Sequence, residues 1–377
     1  MNVGITCYPT YGGSGIVATE LGLELANRGH EVHFITYANP IRLDPGIPRI
    51  HYHEVEVSDY PLFQYPPYCL ALASRMAEVA ELHGLDLLHV HYAIPHSISA
   101  MLAKDMLAGV RRLPFITTLH GTDITLVGVD RSYFPITKYS IEKSDGITSI
   151  SEYLRRQTVD VFKVRNDIRV ITNFVNCDLY KPDREKAMAK CYAPAEGKLL
   201  IHVSNFRPVK RVQDCVRILA EVARRAPVHL LMVGDGPERG PAEYLARELG
   251  VERHVSFLGK QNHVERIIPL AHVLLMPSEL ESFGLAALEG MACGVPAVGT
   301  RVGGVPELIT DGVDGYLEAV GDIAAQAARV TALVTDDALH ERMSQAARRT
   351  ATERFCADKI IPEYERYYAE VCGRGGS

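Results

Sequence analysis

The sequence predicts an α/β protein of two doubly wound, Rossmann-like domains facing a central cleft. Three observations carry that prediction. A chain of 377 residues exceeds the roughly 250–300 residues at which one hydrophobic core stops growing. Apolar strand-like runs alternate with helix-like segments, the rhythm of a parallel sheet wrapped by helices. A polar, charged stretch at residues 176–198 interrupts the rhythm, which then restarts.

In order, strands are expected at residues 3–7, 32–37 and 85–91, with helices at 15–27 and 97–107. Strands at 113–119, 146–150 and 168–172 complete a first domain over residues 1–175. The second domain, residues 176–356, opens with a strand at 199–203 and a helix at 212–224. It continues with a strand at 228–233, a helix at 242–249 and strands at 255–258 and 273–276. Ile360, Ile361, Tyr364, Tyr367 and Tyr368 then fall at mostly helical spacing in a closing helix. Open α/β sheets bind ligands beyond the carboxyl ends of their strands, so the loops that follow strands are the places to search.

Composition narrows the function. The chain is 47% hydrophobic and 23% charged, an ordinary globular profile. A formal charge of −6 and a pI of about 6.2 give no global attraction to nucleic acid or an anionic membrane, so an anion must be held by local groups. Eight dispersed cysteines without a Cys-x-x-Cys pair fit a reducing compartment. Without a signal-peptide pattern or a run long enough to span a bilayer, the expected location is cytoplasmic.

Three loops carry the candidate chemistry. After the first strand, Gly12-Gly13-Ser14-Gly15 precedes a helix expected to open near Ile16, where glycines and free N–H groups suit an anion. A tight turn without a ligand explains that loop equally well. A dinucleotide fingerprint, Gly13-x-Gly15-x-x-Ala18, is also present, but the second strand ends without the acidic residue that would hold a ribose. In the second domain, Arg207, Lys210 and Arg211 cluster where a helix begins, a repulsion that a bound anion would relieve. A solvated basic turn is the plainer explanation of the same residues.

The third loop is Glu281-Ser-Phe-Gly-Leu-Ala-Ala-Leu-Glu289, with a helix expected from about Phe283. The N–H groups of Phe283, Gly284 and Leu285 would then face a phosphate or sugar. Glu289, in the second turn of a helix of small apolar residues, would need a polar partner such as a ribose diol. The pairs His51-x-His53 and His89-x-His91 place imidazoles on one strand face, yet no converging cysteines or carboxylates accompany them, so they read as structural and no metal is expected.

Glu281 to Glu289 resembles the E-x7-E signature of the retaining glycosyltransferases of family four, whose fold is GT-B. Gly12 to Gly15, His120-Gly121-Thr122-Asp123, Asn205 to Lys210 and Val233-Gly-Asp-Gly-Pro-Glu238 follow in that family's order. The likeness spans nearly the whole chain. Tyr65-Pro-Pro-Tyr68, His89-Val-His-Tyr-Ala-Ile-Pro95 and His202-Val-Ser-Asn-Phe-Arg207 resemble, more narrowly, the branch that serves bacillithiol biosynthesis.

The narrower resemblance implies transfer of N-acetylglucosamine from UDP-N-acetylglucosamine to the hydroxyl of L-malate with retention. It implies donor contacts at Gly13, Asn205, Arg207, Lys210, Glu281, Phe283, Gly284, Leu285 and Glu289. His120 would lie beside the donor sugar, and the catalytic set would be Glu281, His120, Arg207 and Lys210. Ser14, Tyr92 and Thr118 are the acceptor candidates. The fold also implies that a helix at about 357–372 returns to the first domain. No Asp-x-Asp occurs, so the diphosphate is expected to be met by Arg207, Lys210 and helix N-termini without metal or other cofactor. A transferase with another small anionic acceptor, or a sugar-nucleotide-binding protein without turnover, remains compatible with the residues alone.

Overall fold

The computed structural model describes residues 1–10, 12–44, 46–57, 64–182 and 197–373. They form two compact units. The first is Met1–Thr172 with the segment from Ile360 onward, and the second is Asn173–Lys359. The sequence reading put this division after residue 175.

The first domain carries strands β1 (Asn2–Thr6), β2 (Glu31–Thr36), β3 (Ile50–Glu54), β4 (Leu87–His91), β5 (Phe115–Leu119), β6 (Gly146–Ser149) and β7 (Arg169–Val170). They pair in the order β3-β2-β1-β4-β5-β6-β7, every ladder parallel. Its helices are α1 (Gly13–Asn27), α2 (Tyr68–His83), α3 (Ile98–Met106), α4 (Thr122–Thr125), α5 (Phe134–Lys143) and α6 (Glu152–Phe162). Central strands such as β4 and β5 are buried along their whole length, as a sheet covered on both faces requires. Helix α6 starts where it does because Ser151 caps it, its hydroxyl accepting from the Leu154 N–H at 3.2 Å.

The second domain carries β8 (Lys198–Val203), β9 (Val228–Val233), β10 (Val255–Gly259), β11 (Val273–Met276), β12 (Ala297–Thr300) and β13 (Gly315–Glu318), paired β10-β9-β8-β11-β12-β13. Its helices are α7 (Val212–Ala223), α8 (Arg239–Glu248), α9 (Leu285–Ala292), α10 (Val305–Leu308), α11 (Ile323–Thr335) and α12 (Asp337–Arg354). Helix α7 shows how burial selects the element. Val212, Cys215, Val216, Ile218, Leu219 and Val222 recur at helical spacing and pack on Leu200, Leu230 and Met232. Each such aliphatic side chain contributes roughly 1.5–3 kcal/mol when fully buried. The last helix, α13 (Ala357–Val371), belongs to the first domain from Ile360 onward.

In each domain the strand order reverses once, between β1 and β4 and between β8 and β11. The loops after those four strands flank a crevice at the switch point, where doubly wound sheets take their ligands. The structure differs from the sequence reading mainly in starts. Helix α1 begins at Gly13, because Gly12 is extended (φ −139°) and accepts the first helical bond from Ile16 N–H at 3.1 Å. Helix α9 begins at Leu285, after Gly284 at φ +100°, a left-handed turn that keeps Phe283 out of the helix. Strands β3, β12 and β13 and helices α2, α4, α5, α6, α10, α11 and α12 go beyond the sequence reading. Of the expected link at 176–198, residues 183–196 lie outside the described residues. Its Tyr180 is buried in the second domain at 2% exposure.

Candidate active site

In the second domain the loops after β8 and β11 are tied together. The Glu279 N–H donates to Val209 O at 2.8 Å, and Lys210 Nζ donates to Glu281 Oε2 at 2.5 Å. Both side chains are largely shielded, at 23% and 16% exposure. The loop after β12 joins them, Gly304 N–H donating to Glu281 O at 3.1 Å. Beneath the pair, buried His202 bonds Leu275 O through Nδ1 at 2.9 Å, so its Nε2 accepts from the Ser204 hydroxyl at 2.8 Å. Burial first, and then Lys210, hold His202 down to about 4, so it is a neutral support.

The remaining expected donor residues separate into groups. Asn205 sits at this junction with a buried Oδ1 that has no partner among the described residues, and Ser278 Oγ is in the same condition. Buried polar atoms without a protein partner on the loops after β8 and β11 suit a polar ligand. The loop after β9 presses on Asn205 so closely that a Cβ at Gly236 would lie 2.2 Å from Asn205 O, which fixes glycine there. Arg207 is exposed, whereas Arg211 is occupied by Asp214 at 2.6 Å. The expected mutual repulsion of the basic turn is therefore already relieved by Glu281 and Asp214.

Phe283 is a core side chain, edge-on to Phe355 at 5.7 Å. Its ring does not serve a ligand. Leu285 opens α9, so its N–H and those of the next residues lack acceptors within the helix. Glu289 is buried at 6% exposure and accepts from the Tyr180 hydroxyl at 2.7 Å. Tyr180 and Ser278 escaped sequence reasoning, one because it lies in a polar stretch and the other because a lone serine carries no pattern.

In the first domain Gly13, Ser14 and Gly15 are the first turn of α1 rather than a loop before it. Their N–H groups are thus the helix's own unpaired donors. A Cβ at Gly15 would meet Tyr8 O at 2.4 Å, so the turn closes only with glycine. Around this turn stand aromatic rings. Tyr8 packs on Tyr92 at 5.3 Å and on His96 at 4.6 Å, Tyr92 stacks on His120 at 5.5 Å, and Tyr68 meets Tyr37 edge-on at 5.6 Å. Burial pushes the Tyr8 phenol up to about 12, so it serves as a hydrogen-bonding hydroxyl and not as a base.

His120 Nε2 lies 2.8 Å from His91 Nδ1, and burial followed by His96 holds His120 down to about 3. It is a neutral imidazole. Asp123 fixes this turn, accepting from the N–H groups of His120 at 3.2 Å, Gly121 at 2.9 Å and Ala93 at 3.0 Å. Thr118 is a different case from Ser14 and Tyr92. It is fully buried, with its hydroxyl 2.6 Å from both His89 Nε2 and Thr148 Oγ1, and serves the sheet interior. Sequence reasoning missed Tyr68, whose buried hydroxyl has no partner among the described residues, as well as the buried nitrogens His91 Nε2 and His96 Nε2.

Comparison with known proteins identifies the family. A family model described as Glycosyltransferase Family 4 matches residues 11–179, and one described as Glycosyl transferases group 1 matches residues 183–350. The chain is 48% identical over 372 residues to the N-acetyl-alpha-D-glucosaminyl L-malate synthase of Bacillus anthracis, covering 98% of this chain and 97% of the relative. The chain belongs to glycosyltransferase family four. A more distant relative, the D-inositol 3-phosphate glycosyltransferase of Corynebacterium efficiens, is 28% identical over 89% of this chain and 85% of its own. The family-four chain has the GT-B fold, and it superposes on Anabaena Alr3699/HepE, solved with UDP and glucose, with a TM-score of 0.83 at 19% identity and coverage of 98% and 99%. As a family-four glycosyltransferase it is an enzyme. Among its described residues no helix is long and apolar enough to cross a membrane.

Proposed function

We propose that this glycosyltransferase moves N-acetylglucosamine from UDP-N-acetylglucosamine to the hydroxyl of L-malate, with retention at the anomeric carbon, in the cytoplasm. The observation that carries the acceptor is the 48% identity, over 98% of the chain, to a relative named for that reaction. The donor half is supported by geometry: Lys210 and Glu281 paired at a switch point, with Asn205 and Ser278 presenting unsatisfied acceptors beside them.

In this reading Glu289, which accepts from Tyr180, also accepts from the ribose hydroxyls, a carboxylate offering about four lone-pair sites. Lys210 has three donors. One is given to Glu281, and others meet the diphosphate together with Arg207 and the N–H groups that open α9. Glu281, held by Lys210 and by its own backbone, accepts from sugar hydroxyls. The bond between the anomeric carbon and the phosphate oxygen breaks, and the malate oxygen bonds to the same face of that carbon. Its proton passes to the departing phosphate oxygen. Stabilising that leaving group is the main electrostatic task, and cations with helix N–H groups perform it without a metal ion.

Malate brings two carboxylates. In this reading the first turn of α1, with Ser14, supplies N–H and hydroxyl donors to one, and the Tyr68 and Tyr92 hydroxyls meet the other. Incubation of the pure protein with UDP-N-acetylglucosamine in chelator, with L-malate or inositol 3-phosphate offered separately, tests this reading. Malate-dependent UDP release with an α-linked product is expected. Release only with the inositol phosphate would assign the acceptor of the 28% relative instead, and release with neither would leave a binding protein.

A further inference from the structure

A second cluster of chemistry-bearing side chains lies at the β2–β3 edge of the first domain, away from the loops after β1, β4 and β5. His33 on β2, His53 on β3 and His83 on α2 each bring one ligand-capable nitrogen within 4.8 Å of the others. The register explains the convergence. His33 pairs with His51 and Ile35 with His53, so His33, His51 and His53 share a sheet face. On that face α2 packs through Val79 and Ala80 against Ile35 and Val55, which carries its last turn, and His83, to the same place.

We propose that His33, His53 and His83 form a tridentate site for a divalent cation of the zinc class, which staples the edge strand β3 and the end of α2 to β2. His33 Nδ1 and His53 Nε2 are 2.9 Å apart, and the His83 ring lies 4.8 Å from that of His33 and 5.0 Å from that of His53. Around tetrahedral zinc, with Zn–N of about 2.0–2.1 Å, ligand nitrogens stand about 3.4 Å apart. The His33 and His53 nitrogens stand slightly closer than that, all three ligand nitrogens lie within 4.8 Å of one another, and exposed His83 can swing to adjust its own spacing.

The donor chemistry also selects the ion. Three imidazoles without a ligating carboxylate or thiolate suit zinc, nickel or copper and not magnesium or calcium. Burial, followed by the neighbouring imidazoles, holds His33 down to about 3 and His53 down to about 4, so both offer lone pairs at neutral pH. The carbonyl end of α2 favours a cation at His83. Among nearby charges, Arg75 opposes a cation and is bonded to Glu78 at 2.6 Å. His51 stacks on His33 at 4.5 Å and is held by Glu31 at 2.8 Å. A hydrogen-bonded His33–His53 pair alone would not require a third imidazole at the same point.

The test uses the full chain, freed of any affinity tag and stripped with chelator, titrated with Zn2+ against a chromophoric chelator. One equivalent is expected to bind, the melting temperature to rise with Zn2+, and Co2+ to give tetrahedral d–d bands. His83→Gln and His53→Gln should weaken binding by at least about 10-fold and abolish the melting shift. His263→Gln, in the second domain, should change neither. Because His83 is exposed, its variant should melt with wild type in chelator. Equal Zn2+ affinity in wild type and His83→Gln, or no saturable binding to wild type, overturns the proposal. None of these readouts depends on the transfer reaction.

Discussion

Lys210 and Glu281 meet at 2.5 Å across 71 residues of sequence, joining the two loops that flank the switch point of the second domain. Because both are largely shielded, removing either leaves an uncompensated charge where the leaving group must be received. Lys210→Met is expected to lower kcat about 100–1000-fold. KM for the UDP-sugar should change far less, and Glu281→Gln should lower kcat more mildly. Steady-state assays of UDP release check this, and wild-type turnover in both variants would remove the pair from the mechanism.

Tyr180→Phe keeps the ring in its buried slot and removes the hydroxyl that donates to Glu289. A hydrogen bond to a charged group contributes about 1.5–3 kcal/mol, so UDP affinity should fall roughly 10-fold or more as the carboxylate loses its anchor. Calorimetric titration with UDP reads this directly. An unchanged Kd would show that Glu289 does not hold the donor in this geometry.

Tyr68→Phe should separate binding from folding. The Tyr68 hydroxyl is buried without a partner among the described residues, so its loss should leave the melting temperature equal or slightly higher. If that hydroxyl serves malate, KM for malate should rise about 10-fold with UDP affinity unchanged. A lower melting temperature with unaltered malate kinetics would make it structural.

Stability should decline with acid. Burial leads the causes that hold His89 down to about 3, His120 to about 3 and His202 to about 4, each below the 6.5 of an ordinary imidazole. Between those values the unfolded chain binds more protons than the folded one. Their contribution is therefore complete above 6.5 and is lost as pH falls toward 3–4, by up to about 1.4 kcal/mol per pH unit for each histidine. Urea midpoints taken from roughly pH 7.5 to about 5 should fall throughout, and a flat profile would contradict the neutral buried state.

What was legible in the sequence is what local pattern encodes. Apolar strands buried on both faces announce themselves, so β1, β4, β5, β8, β9 and β11 were located to within a few residues. Glu281 and Glu289 were singled out by their spacing. Strand β3 was not found, because Ile50–Glu54 is an edge strand of mixed polarity with little burial to betray it. The three-histidine cluster was invisible for a related reason: His51-x-His53 looks structural until parallel register and the end of α2 supply His33 and His83. The bonding of Thr118 was not legible, because a strand residue near a site can face either way. Only the bonds to His89 and Thr148 reveal which.

The bond between His89 and Tyr368, 2.7 Å long, joins residues 279 positions apart, and α13 supplies Tyr364 and Tyr368, the largest fully buried side chains among the described residues. During synthesis every residue of the second domain has therefore left the ribosome before the first domain receives the helix that completes its interior. The domain translated first is the one that must wait, with His89 and its neighbours uncovered until the final turns of α13 emerge.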